Sequence, residues 1–110
     1  MAADASDVRV AFATAPDGDV AARIARALVD ERLVACANVV ANVRSIYRWQ
    51  GNVEDATEVM LVLKTRADRV EALAARLAAL HPYDVPELVV LAVEGGLAPY
   101  LDWVRAESAP

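Results

Sequence analysis

The sequence is poor in the residues on which much protein chemistry depends. It has one cysteine, Cys36, and one histidine, His81, in 110 residues. A lone cysteine rules out a disulfide within the chain and fits a reducing compartment, so a cytoplasmic location is expected. One histidine and no activated serine context leave no Ser-His-Asp set to assemble. The longest unbroken apolar run, Leu88–Val93, is far too short to span a bilayer. Met1–Asp7 lacks a basic start followed by an apolar run, which argues against a secretory signal. Residues 1–7 are expected to form a short, disordered N-terminal tail. Eleven Lys and Arg stand against sixteen Asp and Glu, a net charge of −5, and the cations are scattered. That balance speaks against nucleic acid and anionic membranes as partners and leaves cations and neutral molecules as easier guests. Lys64-Thr65 has the ending of a phosphate loop, but no glycine-rich segment precedes it, which excludes a P-loop.

What is present suffices for one domain, expected over residues 8–107. Apolar residues make up 57%, much of it alanine, which suggests close contact between helices and a sheet. Val8–Ala15 alternates as a strand and ends in the turn signature Ala15-Pro16-Asp17-Gly18. Asp19–Arg32 repeats Val20, Ile24 and Leu28 on one helical face. Leu33–Trp49 and Val53–Thr65 are long β-prone runs that Gln50-Gly51-Asn52 can fold into one hairpin, with a bend or bulge near Ala41-Asn42. Val59–Leu63 is continuously apolar, which predicts burial on both faces in mid-sheet. Thr65-Arg66-Ala67-Asp68 has the spacing of a capping box opening a second helix, whose core stripe is Val70, Leu73, Leu77 and Leu80. Glu87–Val93 is the fourth strand, closed by Glu94-Gly95-Gly96, and Leu97–Ala106 a last helix. The order β-α-β-β-α-β with right-handed crossovers predicts an α+β, ferredoxin-like fold. Its sheet is four-stranded and antiparallel, with the first and third strands central and an extra C-terminal helix.

Each hairpin arm is far longer than the usual five or six residues and would reach about 45 Å at the rise of a strand. The far end carries Tyr47 and Trp49, which a lone subunit leaves wet. The overhang argues for self-association before any chemistry.

The densest polar knot is His81-Pro82-Tyr83-Asp84-Val85-Pro86-Glu87. Read functionally, it is a preformed pocket wall; read plainly, it is a helix end with a favourably placed histidine and two stopping prolines. Cys36 is either an inert small hydrophobe or a soft metal ligand paired with His81. One Cys and one His cannot fill a tetrahedral site, so Glu, Asp, water or another copy would have to complete it. Glu58 and Lys64 share a strand face and read as a rim salt bridge or the lining of a ligand cleft. Tyr47 and Trp49 read as interface packing or as stacking surfaces for a ligand.

Several segments in consistent order resemble the CutA divalent-cation tolerance family: Leu33-Val34-Ala35-Cys36-Ala37-Asn38-Val39, Ser45-Ile46-Tyr47-Arg48-Trp49-Gln50-Gly51, Thr57-Glu58-Val59, Leu63-Lys64-Thr65, the His81–Glu87 knot and Tyr100-Leu101-Asp102-Trp103. The resemblance spans about Val8 to Trp103. It implies a tight homotrimer of ferredoxin-like subunits resembling PII-type signalling proteins, and a role in tolerance to copper and other divalent cations. The loop after the first strand, Thr14–Asp19, carries acids and no cation for catalysis, so a non-catalytic protein is expected. No cofactor is required; copper or another divalent cation is the expected guest. The family pattern falls on Cys36, Tyr47, Trp49, Glu58, Lys64, His81, Tyr83 and Glu87. Of these His81, Cys36 and Glu87 are the expected metal ligands, and Tyr47, Trp49, Glu58, Lys64 and Tyr83 line the cleft or trimer interface. The alternative is a PII-like trimeric sensor that binds a small anionic metabolite in clefts between subunits.

Overall fold

In the computed structural model, which describes residues 2–110, the chain doubles back at Gln50-Gly51. Both residues have positive φ, 50° and 83°. A two-residue loop of that hand matches the twist of the strands it joins. Those strands are β3, Cys36–Trp49, and β4, Asn52–Arg66. They pair antiparallel from Trp49↔Asn52 down to Cys36↔Lys64, slipping register between Val40 and Val43. Asn42 takes a left-handed φ of 63° within the slip, so the bend expected at Ala41-Asn42 is a one-residue bulge. The long axis of the molecule is 45 Å, and the hairpin supplies most of that reach.

The remaining elements are β1 (Ala3–Asp4), β2 (Val8–Ala15), α1 (Gly18–Asp30), α2 (Val70–Leu80), β5 (Val89–Ala92), β6 (Gly95–Gly96) and α3 (Ala98–Glu107). The main sheet runs β3-β4-β2-β5 and every pairing is antiparallel. The first and third predicted strands are therefore central, as the topology required. Asp17 caps α1 by accepting from the Val20 N–H at 2.9 Å.

One face of the sheet is closed. Ala11, Ala13 and Ala15 of β2 and Val59, Leu61 and Leu63 of β4 meet Ile24 and Leu28 of α1 and Leu73 and Leu77 of α2. Alanines at 11, 13 and 15 on the central strand let both helices come close. The opposite face carries Val10, Phe12, Val40, Met60, Val62, Val89 and Leu91, and none of these is buried. Among the described residues one end of it is covered, where Leu101 and Val104 of α3 pack on Val8 and Ala35.

Four expectations change. Val59–Leu63 is not buried on both sides: Met60 and Val62 are only half-buried, because no helix among the described residues lies over their face. Thr65 does not cap α2. It lies inside β4, fully buried, and its hydroxyl donates to the Leu33 carbonyl at 2.7 Å; a 3-10 turn, Ala67–Arg69, then leads into the helix. The fourth strand is the short Val89–Ala92 rather than Glu87–Val93. The tail expected to be disordered is held along residues 3–7, while Met1 lies outside the described residues. There β1 pairs with β6, Ala5 is fully buried, and Asp7 binds Arg105 of α3. A Cβ on Gly95 would sit 2.8 Å from the Ala3 carbonyl oxygen, so glycine is what lets β1 approach.

Candidate functional site

His81 follows the last residue of α2 and is buried under the end of β2. Its Nε2 lies 2.6 Å from the Thr14 carbonyl oxygen, and its Nδ1 lies 3.1 Å from the Tyr83 backbone nitrogen. A carbonyl only accepts and an amide N–H only donates. The ring is therefore the neutral tautomer with hydrogen on Nε2, and both nitrogens are engaged.

That bond sets the position of Tyr83, whose ring centroid is 4.6 Å from the imidazole. The Tyr83 hydroxyl donates to Glu58 Oε2 at 2.7 Å. Burial first, and then the Glu58 carboxylate, push the phenol well above its ordinary pKa, so it stays a donor at any physiological pH. Glu58 itself is only 7% exposed. Its other oxygen, Oε1, has no hydrogen-bond partner among the described residues and is open to the cleft beside it.

The cleft measures about 770 Å³. Tyr47 and Trp49 of β3, Glu58 of β4, and Tyr83, Asp84 and Glu87 of the α2–β5 connection form its walls. No Lys or Arg lines it. Tyr47, Ser45 and Trp49 are spaced by two on β3 and so point to the same side. The hairpin tip and the knot after α2 thus build one aromatic, acidic site from distant stretches of sequence.

The expected cleft residues divide. Tyr47, Trp49, Glu58 and Tyr83 come together, and Glu87 joins them from the group expected to bind metal. Lys64 does not. It is six residues from Glu58 on the same strand, about 20 Å along it. There Lys64 Nζ donates to the Asn38 side chain and lies 3.7 Å from Cys36 Sγ. The expected metal set of His81, Cys36 and Glu87 is likewise not assembled within one chain. His81 hangs on Thr14 and Cys36 pairs beside Lys64 and Val10, which separates them by about 13 Å along β2. Both ring nitrogens of His81 are occupied, and among the described residues no cluster of three His, Cys, Asp or Glu is placed to hold an ion. The described residues of a single chain do not fit a divalent cation. Cys36 lies instead beside Tyr100, whose phenol is pushed up by burial and then by that cysteine.

Asp84 joins the cleft although only its place in the knot pointed to it. Thr14 contributes a backbone oxygen, which no side-chain motif announces.

Comparison with known proteins places this geometry among close relatives. The family model described as CutA1 divalent ion tolerance protein matches residues 9–107. The human Protein CutA is 46% identical over 98 residues, a stretch that covers 89% of this chain and 55% of the human one. The divalent-cation tolerance protein CutA of Thermus thermophilus is 49% identical over 96 residues, 87% of this chain and 93% of its own. This chain thus spans little more than half of the human relative and nearly all of the bacterial one. A solved structure described as the periplasmic divalent cation tolerance protein CutA of Archaeoglobus fulgidus superposes with a TM-score of 0.89 at 32% identity, covering 92% of this chain and 98% of that one.

Proposed function

The chain belongs to the CutA1 divalent ion tolerance family, and from that premise we propose that it serves cation tolerance as a self-associating protein that binds rather than catalyses. The observation that carries this reading is the open face of the sheet. Val89 is 50% exposed and Leu91 46%, and they adjoin Phe12, Val10, Met60 and Val62 in one apolar surface. A patch of that kind on a soluble chain marks an interaction surface. Copies of the same chain are its cover: a homotrimer of PII-like design, in which the hairpin reaches beyond the body of its own chain to a neighbour.

Binding is favoured over catalysis by the state of the cleft's own groups. Tyr83 is held protonated and Glu58 is tied to it, so neither is poised as a base or nucleophile. Copper or another divalent cation is the proposed cargo. Since one chain gathers no donor set, the ligands come from more than one copy, with Cys36 and Glu87 supplying a thiolate and a carboxylate. His81 acts as a positioning residue. The anionic-metabolite sensor is disfavoured, because the walls bear Glu58, Asp84 and Glu87 and the nearest candidate cation, Lys64, lies elsewhere. The cytoplasm is the proposed location, supported by the single reduced cysteine; no helix among the described residues is long and apolar enough to cross a membrane.

Sedimentation at micromolar concentration tests the assembly: a trimer is expected, and a well-folded single chain would overturn it. Copper(II) titration of the assembled protein tests the cargo. Cys36→Ser is expected to weaken binding about tenfold or more, as loss of a soft ligand should. Unchanged affinity would remove copper from the reading.

A further inference from the structure

We infer that the cleft between the hairpin tip and the α2–β5 connection binds a small organic cation bearing an ammonium group, with Glu58 as its counter-charge and Tyr47, Trp49 and Tyr83 as its aromatic walls. The inference rests on the binding role proposed above and names a ligand class for this cleft.

Three observations converge on that class. The first is Glu58. A carboxylate this buried is costly unless paired, and it has one oxygen satisfied by Tyr83 and the other open to the cleft. A cationic guest would complete the set. The second is the walls. Aromatic faces attract a cation electrostatically, most strongly where the ion is weakly hydrated, as an alkylated ammonium is. The third is the sign of the surroundings. Asp84 and Glu87 stand at the same cleft and no Lys or Arg opposes them, so an anion would be repelled.

A bare divalent ion fits less well. Hard cations take about six or more oxygens, and the described residues of this chain present no cluster of even three candidate ligands. A cleft of about 770 Å³ also lies within the size range of small-molecule sites.

Choline is a suitable probe, with 3,3-dimethyl-1-butanol as its neutral isostere. In Trp103→Phe protein, Trp49 is the remaining tryptophan and reports directly on the cleft. Choline is expected to change its emission saturably, and the isostere to bind about tenfold or more weakly. Glu58→Gln keeps an acceptor for the Tyr83 hydroxyl while removing the charge, and should weaken choline by a similar factor. Asp84→Asn, in the exposed connection, should weaken it by a smaller factor and guards against misfolding of the first variant. Equal affinity for choline and its isostere, indifference to Glu58→Gln, or no saturation would each overturn the inference. Sedimentation of the same samples separates the two readings. An intact trimer that ignores choline defeats the cation site alone, whereas a monomer defeats the assembly whatever choline does.

Discussion

The two faces of the main sheet are built from similar side chains and end in opposite surroundings. Leu61 and Leu63 have no solvent exposure, whereas Met60 and Val62, alternating with them on β4, are only half-buried. Hydrophobicity does not distinguish the two sets; cover does. On one side α1 and α2 supply Ile24, Leu28, Leu73 and Leu77. On the other side α3 reaches only the end near Val8 and Ala35. A strand with apolar residues on both faces is normally buried on both. One copy of this chain therefore satisfies half of what β4 encodes, and the site-bearing hairpin extends from that unfinished half.

The strongest way to sharpen the contrast is to remove one side chain from each face. Leu61→Ala should cost about 2–5 kcal/mol in denaturant unfolding, the range for a fully buried leucine in a core that cannot collapse. Met60→Ala, on the uncovered face, should cost far less in dissociated protein and regain its importance on assembly. Equal losses in the dissociated chain would erase the distinction between the faces. Next in size, Val89→Asp combined with Leu91→Asp places two charges on the open surface. The expected result is a folded monomer with native circular dichroism. A variant that remains fully assembled would show that this face is not the contact.

Thr65→Val acts on the covered side without changing the shape. The Thr65 hydroxyl is the buried donor to the Leu33 carbonyl, and losing it leaves that oxygen without this partner. A loss of about 1–3 kcal/mol is expected by chemical denaturation. A neutral outcome would mean that water replaces the hydroxyl and that the α1–β3 connection is looser than its hydrogen bonds imply.

How far these features could be read in advance depended on whether they are local. The hairpin, its Gln50-Gly51 turn and the bulge at Asn42 follow from turn chemistry and alternation within a few residues, and the central places of β2 and β4 follow from topology. Tyr47, Trp49, Glu58 and Tyr83 were each recognisable, and the fold brings them together. Period two sets the face of Lys64 but not its distance from Glu58 along the strand. For His81 the sequence offers a ligand, whereas its partner in the fold is the Thr14 carbonyl, a group every residue carries. Thr65 has the spacing of a cap, but tertiary burial claims its hydroxyl first. The hold on residues 3–7 was invisible because it depends on Gly95 and Arg105, some ninety residues away along the chain and more.

The smallest effect tests the cover that α3 gives one end of the open face. Arg105 of α3 donates from Nε to both carboxylate oxygens of Asp7, at 3.0 and 2.9 Å, and clasps the N-terminal segment to the helix. The Arg105 hydrogen bond holds the Asp7 carboxyl below its ordinary pKa. A depressed folded-state pKa means stability that is present above the unfolded value and is lost as pH falls through the folded one. The Asp7 side chain is 55% exposed, so solvent screening limits the contribution to about a few tenths of a kcal/mol. Asp7→Asn should therefore lower the denaturant midpoint slightly at neutral pH, and the gap to the parent should close as both are acidified below the carboxylate range. A gap that persists in acid would assign the clasp to packing of the tail against α3 rather than to charge. The partial cover over the open face would then be as apolar in origin as the complete one.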